Sequence, residues 1–142
     1  MLRNIWTPLA DGQPVQHKEP GQLIYLQDTR AECFYYIVSG TVKCYISSPE
    51  GEERILTLPH AGELIGEAAF FDRQPRVSSA VAVTPCQLVE VDRQRLTEVF
   101  ARHPLTGALG PVAIAFDYRR RDIWGGARWQ VVPLEGTVGT TA

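Results

Sequence analysis

The sequence predicts a mainly β fold, a sandwich or jelly roll with flanking α-helices, and two observations support this. Between residues 15 and 91, short runs rich in β-branched and aromatic residues alternate with breaks that contain proline, glycine or serine. Several short strands at nearly regular spacing are typical of sandwiches and jelly rolls. After Asp92 the apolar residues recur at helical spacing, which indicates that helices follow the strands.

Seven strands are predicted, each bounded by residues that reverse the chain. Proline fixes φ and glycine allows a positive φ, so the breaks at Pro20-Gly21, Ser39-Gly40 and Thr84-Pro85 indicate turns. In chain order, the predicted strands cover residues 15–18, 22–26, 34–38, 41–47, 53–58, 79–83 and 87–91.

The region after the strands predicts two helices separated by a weak point. Asp92 suits an N-cap, because its side chain can accept from the free N–H groups of a first turn. His103-Pro104 should end this first helix, and Gly107, Gly110 and Pro111 predict a poor helix interior beyond it. Proline suits a first turn, so the second helix is expected over residues 112–124. The apolar residues on the helix faces are Leu96, Val99 and Phe100 in the first helix and Val112, Phe116 and Ile123 in the second.

Length and composition limit the classes of protein to which the chain can belong. Its 142 residues suffice for one domain, and its net charge of -2 argues against coating nucleic acid by bulk charge. No apolar run could span a bilayer and no signal peptide begins the sequence, so a cytoplasmic protein without a membrane partner is expected. Cys33, Cys44 and Cys86 form no zinc spacing, and we expect them to be small buried hydrophobes rather than metal ligands.

A charged loop of small residues interrupts the predicted strands at residues 62–80, GELIGEAAFFDRQPRVSSA. A phosphodiester that carries a sugar needs a planar charged donor, backbone N–H groups and a carboxylate for a sugar hydroxyl. Arg76 fits the first role and Glu67 the last, nine residues apart, while a short helical turn at Glu67-Ala68-Ala69 would offer the N–H groups. The remaining contributors are hydroxyl donors at Ser78 and Ser79 and a stiffening proline, Pro75.

The same loop resembles a known motif. The segment Gly66-Glu67-Ala68-Ala69-Phe70, followed by Pro75-Arg76-Val77-Ser78-Ser79-Ala80, resembles the phosphate-binding cassette of cyclic nucleotide-binding domains, especially those of the CRP/FNR family of bacterial regulators. Residues 34–42 look like the family's hairpin of an apolar strand, glycine and valine, and the likeness covers roughly residues 15–124. It implies a β-roll followed by helices.

The resemblance also implies the ligand and its contacts. The ligand would be cAMP, cGMP or a similar small anionic effector, with Glu67 on the ribose and Arg76 on the cyclic phosphate, and no cofactor. The helix after His103 would form a homodimer and cover the base, with Asp117, Tyr118 and Arg119 as candidates for reading it. The candidate ligand-binding residues are Gly66, Glu67, Ala68, Ala69, Pro75, Arg76, Val77, Ser78 and Ser79.

The expected domain organisation places the β-roll and its following helix in residues 1–103. Residues 104–124 would be a hinge and dimer helix, and residues 125–142 a tail without a helix-turn-helix domain. Because about 18 residues follow Trp124, this chain is not expected to bind DNA directly. Two alternatives remain: an effector domain separated from the DNA-binding part of a CRP/FNR regulator, and a partner-binding scaffold of the same fold without a ligand.

Each functional interpretation has a structural alternative. Glu67 and Arg76 could simply form an ion pair that pins the loop, and Arg119-Arg120-Arg121 could be a solvated helix end. Phe70 and Phe71 are expected in the core beneath the cassette, and Trp6, Trp124 and Trp129 as packing anchors. His17 and His60 are expected on surface turns rather than on a metal. No Ser-His-Asp order and no Gly-x-Ser-x-Gly motif is present, so we expect no catalytic residues and no enzyme.

Overall fold

Two four-stranded antiparallel sheets lie face to face in the protein. The computed structural model describes residues 2–104 and 106–107. The strand orders are β1-β8-β3-β6 in the first sheet and β2-β7-β4-β5 in the second. The elements, in order, are a 3-10 helix Leu2–Ala10, β1 Gln16–Lys18, β2 Leu23–Tyr25, β3 Phe34–Ser39, β4 Val42–Ser47, β5 Glu53–Thr57, β6 Leu64–Ile65, α1 Glu67–Asp72, β7 Ser79–Ala82, β8 Cys86–Val91 and α2 Arg93–Arg102. The predicted mainly β roll with flanking helices is confirmed.

All seven predicted strands are present, with ends that differ by at most one residue from those predicted. The sequence missed β6, a two-residue strand that pairs with Tyr35 and Tyr36 of β3. It also missed the N-terminal 3-10 helix. A strand of two residues is too short to show an alternating pattern of apolar residues, so β6 can be recognised only from its pairing with β3.

The first sheet is covered on both faces, which explains its apolar strands. Side chains alternate along a strand. In β3, Phe34 packs with the helices in one buried cluster, whereas Tyr35 and Ile37 pack toward the second sheet in another. In β8, Val89 belongs to the first cluster and Leu88 to the second. The core therefore consists of two layers separated by the first sheet.

The helical cluster confirms several expected core residues. Trp6 is buried in it and Phe70 lies at its centre, while Phe71 is half-buried at its edge. Asp92 caps α2 as predicted, its carboxylate accepting from the Arg95 backbone N–H at 2.9 Å. In the second cluster Cys44 and Cys86 are buried as small hydrophobes, as expected.

The region after α2 differs from the prediction. The helix ends at Arg102, but Pro104, Thr106 and Gly107 are helical again, and the Gly107 N–H donates to the His103 carbonyl at 2.9 Å. A Cβ on Gly107 would lie 2.7 Å from the Phe100 carbonyl oxygen. Glycine is therefore needed there for a close approach of backbone rather than to break the helix. Outside the described residues lie Gly110, Pro111, the expected helix at 112–124 with its apolar and base-reading candidates, Arg119–Arg121, Trp124, Trp129 and the tail at 125–142.

A candidate anion-binding site

The site begins where β6 turns into α1. Gly66 has a φ of 78°, in the left-handed region that favours glycine. A Cβ at this position would lie 2.5 Å from Nη1 of Arg76, so the guanidinium occupies the space that a side chain would need. The helical turn expected at Glu67-Ala68-Ala69 is present as the start of α1, with Ala69 buried and Ala68 half-buried.

Arg76 is held inside the protein by neutral acceptors. Only 3% of the surface of Arg76 is exposed. Nη1 donates to the Gly66 carbonyl at 2.8 Å, and Nη2 donates to the Cys33 carbonyl at 2.7 Å. The backbone is also fixed, since the Arg76 N–H donates to the Thr29 carbonyl and the Asp28 N–H donates to the Arg76 carbonyl, both at 2.8 Å. The guanidinium therefore has a defined place in the structure.

The Nε donor of Arg76 has no such acceptor. Nε is buried and makes no hydrogen bond within the described part of the chain. None of the ion pairs among the described residues includes Arg76. The alternative, a Glu67–Arg76 ion pair that pins the loop, stays a prediction. Burying a charge is costly, and an anion that reached Nε would offset part of that cost.

The other predicted site residues fall into two groups. The first group is buried and consists of Glu67, which is 2% exposed, Ser78 and Ser79. The Ser79 hydroxyl already accepts from the Gln27 backbone N–H at 2.8 Å, so it ties the loop after β2 to β7. Pro75 and Val77 are exposed.

Two residues that contact the guanidinium, Tyr25 and Cys33, were not predicted from the sequence, nor was Tyr35, which stacks on Tyr25. The Tyr25 ring lies 4.2 Å from Cζ of Arg76, and Tyr25 stacks on Tyr35 with ring centroids 6.2 Å apart. Sγ of Cys33 is 3.9 Å from Nη2. Burial is the main cause that raises the pKa of the Cys33 thiol and of the Tyr35 hydroxyl, so both stay protonated at neutral pH. These residues are far from Arg76 in sequence, and no local motif marks them.

A separate concavity of about 640 Å³ opens beside the cassette loop. Its charged lining comes from three segments, with Arg30, Arg73 and Arg93 opposed by Glu32 and Asp92. Pro75, one of the candidate site residues, lines it, whereas Arg76 and Glu67 do not. Among the residues that the structure places, no group of three or more His, Cys, Asp or Glu side chains could hold a metal ion. The same residues include no helix that is long and apolar enough to cross a bilayer.

The chain belongs to the family of the cyclic nucleotide-binding domain, whose pattern it matches over residues 15–103. This match confirms the resemblance seen in the sequence. The match contains β1 to β8, α1 and α2, and therefore the whole candidate site.

Regulators of the CRP type are among the proteins to which this chain is similar. The CRP-like cAMP-activated global transcriptional regulator of Mycobacterium tuberculosis is 34% identical over 92 residues, which cover 65% of this chain and 41% of that protein. The crystal structure of the Thermus thermophilus catabolite activator protein has a TM-score of 0.69 and 27% identity, over 83% of this chain and 61% of that one. The chain therefore spans less than half the length of the M. tuberculosis regulator.

A third relative is an enzyme. A cAMP-binding acyltransferase from Mycobacterium smegmatis has a TM-score of 0.58 and 27% identity, over 68% of this chain and 30% of that one. Domains similar to this chain therefore occur in transcription regulators and also in an enzyme.

Proposed function

We propose that this chain is a non-catalytic sensor domain that binds a cyclic nucleotide, cAMP or cGMP, at Arg76. The observation that carries the proposal is the buried Arg76 guanidinium, whose Nε donor meets no acceptor among the described residues. A cyclic phosphate is a small monoanion, and guanidinium–phosphate hydrogen bonds are charge-assisted and directional. A neutral ligand would form weaker hydrogen bonds with the guanidinium.

The other cassette residues have roles that fit the rest of a nucleotide. In the proposal, the Glu67 carboxylate accepts from a ribose hydroxyl, and the small side chains of Ala68 and Ala69 let the ligand approach the backbone of α1. Ser78 is buried and follows Arg76 by two residues, and its hydroxyl supplies a further donor. The M. tuberculosis regulator is cAMP-activated and the acyltransferase is cAMP-binding, which makes cAMP the first candidate.

A panel of small anions tests whether the domain has a ligand. At about 100 times its dissociation constant, a ligand that binds only the folded state adds ~2.7 kcal/mol to the free energy of unfolding. We expect cAMP or cGMP to raise the melting temperature, and 5′-AMP and inorganic phosphate to raise it much less. The control is Arg73→Ala, which removes an exposed arginine near the cassette but outside the site. A panel in which no cyclic nucleotide shifts the melting temperature would favour the ligand-free scaffold instead.

The proposed signal is a movement of the segment that follows His103. Coupling between a ligand and such a movement is commonly ~1–3 kcal/mol. The break at His103, between α2 and the helical residues Thr106 and Gly107, supports a junction at this point. The proposed hinge consists of Gly107, Gly110 and Pro111. We expect saturating cAMP to change amide hydrogen exchange in residues 104–112, and unchanged exchange there would contradict the hinge.

The relatives support a wider role as the effector domain of a transcription regulator. The similarity to a global transcriptional regulator is the observation that favours this role. In this proposal residues 1–103 sense the ligand, and residues 104–124 transmit the signal and form a homodimer. Homodimer formation is checked by sedimentation equilibrium, where a monomer mass at all concentrations would speak against it. A helix-turn-helix encoded in the same reading frame would support the regulator.

A further inference from the structure

Tyr25 faces the inner side of the roll because of a bulge in β2. Leu23 pairs with Val81 of β7, and Tyr25 pairs with the adjacent residue Ala80. Between these two pairs, β2 moves on by two residues and β7 by only one, and such an extra residue in one strand is a β-bulge. Directly paired residues share a face of the sheet, so Leu23 lies outside, 44% exposed, and Tyr25 lies inside with buried Ala80. Without the extra residue, Leu23 and Tyr25 would share a face.

The bulge brings the Tyr25 ring against Arg76. The ring centroid is 4.2 Å from Cζ of the guanidinium, well within the range of a cation–π contact. The two carbonyl acceptors of Gly66 and Cys33 lie along N–H bonds, which are in the guanidinium plane. Cζ itself lies over the face of the Tyr25 ring, which is a contact of a different kind. Tyr35 stacks on Tyr25 at an interplanar angle of 12°, so the ring itself is supported.

We propose that Tyr25 is a positioning residue that fixes the plane of the Arg76 guanidinium and keeps Nε directed to the anion. The carbonyl acceptors alone restrain two corners of the guanidinium, and the plane could still tilt about the line that joins them. The aromatic face prevents this tilt and compensates part of the buried charge. The assignment of a ligand to Arg76 rests on the proposed function, but the positioning itself does not depend on a ligand.

Nuclear magnetic resonance of the unliganded protein tests the positioning without any ligand. In the wild type, we expect the Arg76 Nε–H resonance to show a ring-current shift and a high order parameter. Tyr25→Leu should abolish the shift and lower the order parameter, and Tyr25→Phe should retain both. The matched control is Tyr45→Leu, since Tyr45 makes a similar contact with Lys43 at 5.2 Å on β4, and this substitution should leave the Arg76 resonance unchanged. An Arg76 resonance unaffected by Tyr25→Leu would overturn the proposal.

Titration with cAMP then measures the consequence for binding. Loss of the cation–π contact in Tyr25→Leu should weaken cAMP binding roughly 2- to 30-fold, and Tyr25→Phe should bind like the wild type. Because Tyr25 acts through the guanidinium, the effect of Tyr25→Leu should shrink in an Arg76→Lys background. An equal effect in both backgrounds would indicate general loosening of the fold and contradict the positioning role. A wild type that binds neither cAMP nor cGMP would refute the proposed function, and the resonance experiment would still decide the role of Tyr25.

Discussion

Arg76→Ala is expected to weaken cyclic nucleotide binding by roughly 2–4 kcal/mol, or about 30- to 1000-fold in dissociation constant. The substitution removes the charged donor that we assign to the phosphate, and the ligand would enter a site without a counterion. Isothermal titration of wild type and variant with cAMP and cGMP measures the loss. Wild-type affinity in the variant would show that the anion has a different partner.

Two controls separate lost binding from lost folding in this experiment. Arg76→Ala also leaves the Gly66 and Cys33 carbonyls without their donor, which should reduce the free energy of unfolding by roughly 1–3 kcal/mol. Urea unfolding therefore has to show that the variant is folded at the titration temperature. Arg73→Ala, at the exposed end of α1, removes the same charge close by and should bind with unchanged affinity.

Phe70→Ala is expected to cause the largest loss of stability, about 3–5 kcal/mol in the free energy of unfolding. Phe70 is 0% exposed, and its ring centroid lies 5.0 Å from that of Phe34 and 5.1 Å from that of Phe71. The Arg93 guanidinium lies 4.2 Å from the ring and donates to the Phe70 carbonyl at 2.6 Å. Truncation would open a cavity beneath α1 and remove the contact of the ring with Arg93 of α2, although the hydrogen bond to the backbone carbonyl would remain.

Equilibrium urea unfolding of two paired variants measures this effect. Phe71→Ala removes the same side chain from the next position, which is only half-buried, and should cost clearly less. If Phe70→Ala cost no more than Phe71→Ala, Phe70 would not be the anchor of α1 in the core. Because α1 carries Glu67 and follows Gly66, a folded Phe70→Ala protein should also bind cAMP more weakly.

The fold was largely predictable because its signals are local. Alternation of apolar residues and turn residues marks every strand except β6, and Asp92 marks the start of α2. The sequence did not predict that β3 and β8 have two buried faces, because that depends on the second sheet and the helices lying on opposite sides. Gly107 was misread because glycine in a helix suggests a break, whereas here the Phe100 carbonyl requires its small size.

The candidate site was predictable only where its residues are close in sequence. Gly66, Glu67 and Arg76 form one continuous motif. Tyr25 and Cys33 reach the guanidinium through strand pairing and through the loop before β3, so their roles depend on tertiary structure. A bulge in β2 decides the side to which Tyr25 points, and the strand sequence Leu23-Ile24-Tyr25 contains no turn residue that would mark it.

The central claim is that the buried Nε of Arg76 is the donor for a ligand phosphate. A crystal structure of the protein with cAMP tests it most directly. We predict a phosphate oxygen at roughly 2.7–2.9 Å from Nε, with the Tyr25 ring still against the guanidinium. A nucleotide bound elsewhere, with Arg76 still bonded to the Gly66 and Cys33 carbonyls and Nε turned away from it, would contradict the account.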